Sequence, residues 1–485
     1  MVRFEIDAKD AMGRVGSLEV GDKTVTTPAL MPVVNPHYGA PDLSEAEIAI
    51  TNAYIIYTGD SYDSAVKEGV HEIVGEGTDD GGAFEGVVVT DSGSYQMSVY
   101  GDDEIDVSNR EILEFQREID TDVATPLDVP TPPGASHQTA EDDLETTLRR
   151  VREAVELYEG YEDENEENVP ALNAPVQGAL YDDLRERAGR ETYETGGDIY
   201  PVGAVVPLMT DYRFGELIDV IVASKRGLGA DAPVHLFGAG HPMVFALAAA
   251  LGCDLFDSAA YALYAEKDRY LTPEGTLHTD DLNELPCGCP VCRGRSADEL
   301  TFDELAQHNL NVSFAEIRRV REATRAGNLL ELVEQRCHGH PHLLNGLRRL
   351  GAHAEEIERY DPVTKSSFFY LGNPHRPEVV RHNRRVERFE VGEEAVVTAG
   401  KAGGRDCFLL RPPFGPSPPE ILETYPLNAE TPHKPDYTAI ESALEGVENL
   451  VSANPGATFT LEHPGWEHPK IDELRDAGVQ EEVFG

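Results

Sequence analysis

Positive charge is what this sequence lacks most. Its 485 residues carry 40 Lys and Arg against 89 Asp and Glu, a formal net charge of −49. Lysine is scarcest, with nine residues, so most of the cations are arginines. The acidic residues are spread along the whole chain, which excludes a neutral body with one acidic tail. Long apolar runs are missing too. The most apolar stretch, Met243 to Phe256, is too short and too interrupted to span a bilayer, and no membrane role is expected. The opening Met1-Val2-Arg3-Phe4-Glu5-Ile6-Asp7 has no secretory pattern. Cysteine is limited to six residues, three of them within one six-residue stretch. That usage argues against a secreted disulfide scaffold and for a reducing, cytoplasmic compartment.

What is present is enough apolar material to fold. Hydrophobic residues make up 40% of the chain, which argues against a disordered acidic protein. An ordered protein of this charge resembles those of halophiles that accumulate salt internally. At 1 M salt the Debye length falls to about 3 Å, so self-repulsion becomes tolerable. The length suits one large barrel plus a smaller module.

The most specific local signal is Cys287-Gly288-Cys289-Pro290-Val291-Cys292, followed by His308 sixteen positions beyond the last thiol. Three thiols in a tight Gly/Pro knuckle and one imidazole suit tetrahedral Zn²⁺. The alternative is a disulfide or a group of buried thiols; the ligand spacing favours zinc. The quartet Cys287, Cys289, Cys292 and His308 leaves no open coordination position, so one structural zinc per chain is expected and the chemistry is sought elsewhere. Cys253, Cys337 and Cys407 read as buried or incidental. His338, His340 and His342 read as a polar loop, since Cys337 is the only thiol near them.

Through the first two thirds of the chain, short apolar runs alternate with longer amphipathic segments. The runs are Ala53–Tyr57, Gly86–Thr90, Val123–Leu127, Val169–Val176, Ile199–Val206, Val234–Phe237 and Cys253–Phe256. Helix-like stretches between them include Arg110–Ile119, Leu144–Tyr158 and Phe214–Leu228. This alternation predicts an α/β fold, a (β/α)8 TIM barrel with a zinc-binding insertion, over residues 1–365. Residues 366–485, opening on Phe368-Phe369-Tyr370-Leu371-Gly372 and interrupted by the Pro-rich Pro412–Pro419, predict a smaller α+β domain. Acidic stretches around Gly77–Asp80 and Glu159–Asn168 read as solvated connections.

A polar residue repeatedly follows an apolar run. Asp91 follows Val87-Val88-Val89-Thr90, Asp128 follows Thr125-Pro126-Leu127, Gln177 follows Ala174-Pro175-Val176, and Asp257 follows Asp254-Leu255-Phe256. In a barrel these exits converge on the mouth where such enzymes react. A single one reads equally well as a turn or a helix cap.

Taken in order, Thr90-Asp91-Ser92-Gly93-Ser94-Tyr95-Gln96, Pro175-Val176-Gln177-Gly178, Phe256-Asp257-Ser258-Ala259 and the Cys-x-Cys-x-x-Cys…His-Asn-Leu set resemble the tRNA-guanine transglycosylases. Asp257-Ser258-Ala259-Ala260-Tyr261-Ala262-Leu263-Tyr264 resembles their archaeal branch. The resemblance implies exchange of guanine at position 15 of the tRNA D arm for 7-cyano-7-deazaguanine, a step towards archaeosine. It implies Asp257 as nucleophile and Asp91 as general acid/base. Asp128 and Gln177 would hydrogen-bond the base, Gly203, Ala204 and Val205 would offer it backbone groups, and Phe237 would stack on it. Packing at a strand end is as good a reading of Phe237 taken alone. Ser94 and Gly178-Ala179 depart from the bacterial pattern, which has Gly at the first site and a Gly pair at the second.

The resemblance also implies a homodimer. Archaeal relatives carry C-terminal modules ending in a PUA-type RNA-binding domain; no PUA pattern stands out after residue 365, so a separate PUA-bearing protein is a candidate partner. Phosphate contacts are expected from Arg376, Arg381, Arg384, Arg385 and Arg388, and less strongly from Arg318, Arg319, Arg321 and Arg325. Two other readings stand beside this one: queuine-type exchange at the anticodon wobble guanine, and a non-catalytic tRNA-binding partner on the same scaffold.

Overall fold

A computed structural model describes residues 2–36, 41–75, 82–95, 107–163, 168–401 and 406–484. Gly77–Asp80 and Gln96 lie outside the described residues. The chain divides into two compact units, Met1–Arg325 with Gln335–Gly346, and Ala326–Glu334 with Leu347–Gly485. The fold is mixed α/β with parallel-strand sheets.

The first unit opens with an antiparallel sheet of Val2–Asp10, Gly13–Val20 and Lys23–Thr27. Two four-stranded parallel sheets follow. One runs in the order Ile48–Asn52, Val87–Asp91, Val123–Ala124, Ala171–Leu172. The other runs Ala29–Pro32, Leu255–Ser258, Val234–Leu236, Tyr200–Val202. Parallel bridges Val33 to Ile50, Asn173 to Ile199 and Val176 to Val202 join their outer strands. Parallel strands covered on both faces need near-continuous apolar sequence, and these have it. Alternate residues point one way, so Ala29 and Met31, Ile48 and Ile50, and Val87 and Val89 share a cluster with Val123, Ala171, Ile199 and Leu255. Helices between the strands cover the other face. The helix Asn109–Glu118 starts at a capping box, Ser108 with Glu111.

Two expectations about elements change. Ala53–Tyr57 lies in a helix, Ala53–Thr58, and the strand is Ile48–Asn52 just before it. Asn52 makes the switch: its side-chain oxygen accepts from Ile55 N–H at 2.9 Å and caps the helix. A five-residue apolar run does not by itself distinguish strand from helix. Glu159–Asp163 does not form a loop but continues the helix His137–Asp163, where exposed Glu is a good helix former.

The strand Leu255–Ser258 is anchored at its start. Asp254 is fully buried and pairs with buried Arg14, whose Nε donates to Asp254 Oδ1 at 3.1 Å. Arg14 also donates to the carbonyls of Ala230 and Ala232, at 2.6 and 2.7 Å. Val234 N–H donates to Asp254 Oδ2 at 2.8 Å, so the pair also fixes the neighbouring strand. Removing one member of such a pair leaves a buried charge. Arg14→Leu is therefore expected to cost about 3–5 kcal/mol, read by denaturant unfolding. A loss below about 1 kcal/mol would show that the pair is not a structural anchor.

In the second unit the strands run in the order Phe414–Ser417, Cys407–Arg411, Glu394–Thr398, Thr458–His463, Gln480–Val483, with only the first pair antiparallel. The helix Tyr437–Ala453 packs on Phe414–Ser417 at two glycines: a Cβ on Gly446 would stand 2.5 Å from Gly415 Cα. Phe368–Gly372 supplies one parallel bridge, Phe369 to Glu430, and no longer strand.

The expected arginine surface is corrected here. Arg376 is fully buried and pairs with Glu331 and Glu378, and buried Arg381 pairs with Glu358 and Asp361. Glu378, two residues from Arg376, and the more distant Glu331, Glu358 and Asp361 take these charges, so neither guanidinium is free to meet phosphate. Arg384, Arg385 and Arg388 are exposed, and Arg384 pairs with Glu358. In the first unit Arg318, Arg319 and Arg325 pair with Glu45, Glu316 and Glu322, and Arg321 donates to the carbonyls of Thr26 and Pro28. Among the described residues, no helix is long and apolar enough to cross a membrane.

Candidate active site

Parallel strands deliver their last residues to one end of a sheet, and that is where the polar exits meet. Asp91 ends the strand Val87–Asp91, and Asp257 is the next-to-last residue of the strand Leu255–Ser258. Both line one cavity of about 1950 Å³, with Asn52, Tyr95, Phe237 and Gly238. All of its lining belongs to the first unit.

Asp257 is nearly buried and held from two sides. His235 Nε2–H donates to its Oδ1 at 2.8 Å, and Gly238 N–H donates to the same oxygen at 2.7 Å. His235 is placed by strand register, since it pairs with Leu255 across the parallel ladder. Gly238 has a φ of 61°, a left-handed turn that suits glycine and aims its N–H back at the carboxylate.

Asp91 accepts from Asn52 Nδ2 at 3.1 Å, from the neighbouring strand. Burial pushes its carboxyl up from the ordinary 3.8 to about 7, and the negative charges of Asp128 and Asp257 add to the effect. A carboxyl of this kind exists in both protonation states near neutrality.

Asp128 and Gln177 meet each other. Gln177 Nε2 donates to Asp128 Oδ2 at 2.5 Å, and Asp128 N–H donates to Ser94 Oγ at 3.0 Å. Burial raises the Asp128 carboxyl, opposed by the hydrogen bonds from Gln177 and Ser94. Gln177 is buried, and its Oε1 has no hydrogen-bond partner among the described residues. Gly203 lies against this amide so closely that a Cβ would stand 2.2 Å from Nε2. Ala204, at φ 58°, carries the chain past it, and Val205 leads into the short helix Val206–Thr210. Phe237 is half-buried, lines the cavity, and has its ring edge-on to His235 at 4.6 Å.

Two residues escaped the reading of the sequence. Asn52 obeys the same rule as Asp91, a polar residue ending an apolar strand, but was obscured when the strand was placed at Ala53–Tyr57. His235 lies inside a strand, and only its register across from Leu255 shows that it reaches Asp257.

Cys287, Cys289, Cys292 and His308 form a cluster able to hold a metal ion, with their ligand atoms all within 4.8 Å of one another. His308 Nδ1 is 3.2 Å from Cys292 Sγ and 3.6 Å from Cys289 Sγ. Its Nε2 lies 3.1 Å from Leu271 O. Donation there fixes the tautomer that leaves the Nδ1 lone pair facing the thiols.

The profile of the family described as queuine tRNA-ribosyltransferase matches residues 9–342. The chain is 48% identical to a tRNA-guanine(15) transglycosylase of Haloarcula marismortui, over 98% of this chain and 97% of that protein. It is 49% identical to one of Haloferax volcanii over 96% and 90%, respectively. It is 46% identical to one of Methanosarcina mazei over 97% and 96%.

Proposed function

The chain belongs to the queuine tRNA-ribosyltransferase family, and on that premise we propose that it exchanges guanine 15 in the tRNA D arm for 7-cyano-7-deazaguanine. The observation that carries the reading is the meeting of Asp91 and Asp257 in one cavity. Asp257 attacks the anomeric carbon as guanine leaves, giving a covalent ribosyl-aspartate that keeps the tRNA backbone intact. Asp91 gives the departing base a proton and takes one from the incoming base. Asp128 and Gln177 read the base edge, since a carboxylate accepts from N–H groups and an amide both donates and accepts. The unpartnered Gln177 Oε1 supports that role. Gly203, Ala204 and Val205 present backbone groups, and Phe237 stacks. The target guanine leaves its helical stack to enter.

The same reading takes the eight parallel strands of the first unit as a closed (β/α)8 barrel, supported by the bridges that join the two sheets. Residues 1–365 then form the catalytic domain and 366–485 an accessory one. The Cys/His quartet holds structural zinc, because four such ligands leave no open position. The acidic surface suits a cytoplasm of molar salt, as the relatives from halophiles support. The working assembly is a homodimer, with a separate PUA-bearing protein as an additional tRNA contact.

Exchange of radiolabelled guanine into a cognate tRNA at high salt tests the activity. Mapping the labelled nucleotide separates position 15 from the wobble position, and no incorporation at all would leave the non-catalytic reading. The raised Asp91 carboxyl makes a sharper demand. Release of guanine needs Asp91 protonated, so its single-turnover rate should fall as pH rises through about 7. Insertion of the new base needs Asp91 ionised, so that rate should fall as pH drops through the same value. Parallel profiles for the two halves would remove Asp91 from the proton path.

A further inference from the structure

The cavity described above would receive part of a polyanion, yet none of its described lining residues is Lys or Arg. Asp42, Glu266, Glu274, Asp303 and Glu304 line it instead, beside the two aspartates. Phosphate clamps are therefore not what holds RNA here. In molar salt they would also be weak, because binding through counterion release falls steeply as salt rises. An uncharged contact suits both conditions.

One wall of the cavity supplies such a contact. Tyr212 lines it and is 49% exposed. Its ring stacks with those of His340, at 4.9 Å, and His342, at 5.4 Å. The two imidazoles are only 5.5 Å apart, so they do not sandwich the phenol. They back it from one side, Phe214 meets it edge-on at 6.1 Å, and about half of the residue stays exposed. Tyr212 also closes the helix Val206–Thr210 in a left-handed conformation, φ 56°, with its N–H donating to Met209 O at 3.2 Å. Gly or Asn fills such a position with less strain. The exposed aromatic ring is thus held, at a conformational cost, in the lining of the cavity that also contains Asp257.

We propose that Tyr212, backed by His340 and His342, is a stacking platform for a second unpaired nucleobase of the tRNA, adjacent to the one exchanged. The proposal rests on the reading of this chain as a tRNA-modifying enzyme. Base–aromatic stacking is indifferent to base identity and carries no charge, so it positions RNA without a cationic groove.

The test uses the full chain in molar KCl and measures tRNA affinity directly, by fluorescence anisotropy, alongside guanine exchange. Tyr212→Leu keeps an apolar side chain against the imidazoles and removes the π face; Tyr212→Trp keeps a π face. The Leu variant should bind tRNA about ten- to hundredfold more weakly, while its KM for free guanine stays unchanged. The Trp variant should bind within a fewfold of the parent protein. The salt dependence of binding should be the same in all three, since no phosphate contact is removed. Melting temperatures in the same buffer show that each variant is folded at the assay temperature. A Leu variant with unchanged tRNA affinity would overturn the proposal, as would a folded Trp variant as weak as Leu. Failure of the parent protein to exchange guanine while Tyr212-dependent binding persists would overturn the enzymatic reading and support the platform.

Discussion

Asp257→Asn is expected to abolish base exchange, lowering turnover by about four orders of magnitude or more, as loss of a covalent nucleophile does elsewhere. The substitution changes one oxygen to nitrogen and little else. His235 Nε2–H and Gly238 N–H both donate to Asp257 Oδ1, and an asparagine carbonyl can accept both in the same place. Folding and tRNA affinity should therefore survive, and the loss should fall on chemistry alone. Asp257→Glu should fail as well, because one added methylene moves the attacking oxygen away from the position those donors fix. The direct readout is a labelled tRNA–protein adduct on a denaturing gel. The parent protein should form it when the incoming base is withheld, and the Asn variant should not. An adduct that persists at full yield in the Asn variant would assign the nucleophile to another group, with Asp91 in the same cavity as the first alternative.

Why Asp257 and Asp91 could be found in the sequence, and His235 could not, follows from the periodicities involved. A buried parallel strand is a continuous apolar run, so a carboxylate that ends it stands out without knowledge of the fold. Asp91, Asp128, Gln177 and Asp257 all announced themselves in this way, and the ordered motifs then pointed to a family. His235 owes its place to strand pairing with Leu255, twenty residues on, which leaves no local mark. The same limit explains the arginines. Arg376 and Arg381 lie in a locally basic segment, but the carboxylates of Glu331, Glu358 and Asp361 that surround them come from other parts of the chain. The strand Ala29–Pro32 is hard to read from sequence because it is short, preceded by Pro28 and ended by Pro32, and prolines usually mark strand boundaries. The Cys/His cluster is the easiest to read, because a knuckle places its thiols within a few residues.

Loss of the proposed zinc should have the second large effect. If the quartet holds zinc as proposed, Cys289→Ser is expected to remove that ion and lower the melting temperature by about 10 °C or more, given the free energy that a structural zinc contributes. The quartet ties three pieces of chain together: the knuckle itself, the hairpin Arg269–Thr272 with Gly275–His278, and the helix Phe302–Ala326. Tyr270 of the hairpin stacks on His308 at 3.7 Å, and its hydroxyl lies 3.3 Å from Cys292 Sγ. The neighbouring Asn309 carries the connection further. Its side chain accepts from Leu271 N–H at 2.8 Å and donates to Tyr261 O at 3.1 Å, in the helix Ala260–Ala265 that begins just after Asp257. Loosening the metal module should therefore disturb the cavity wall as well, through Tyr261, Thr272 and Phe302. Exchange activity should fall together with stability, and added zinc should restore neither in the Ser variant. Metal analysis of the parent protein should give one zinc per chain, and calorimetry before and after chelation should reproduce the shift. Metal-free protein that keeps its melting temperature and its activity would show that these four residues are not a structural centre.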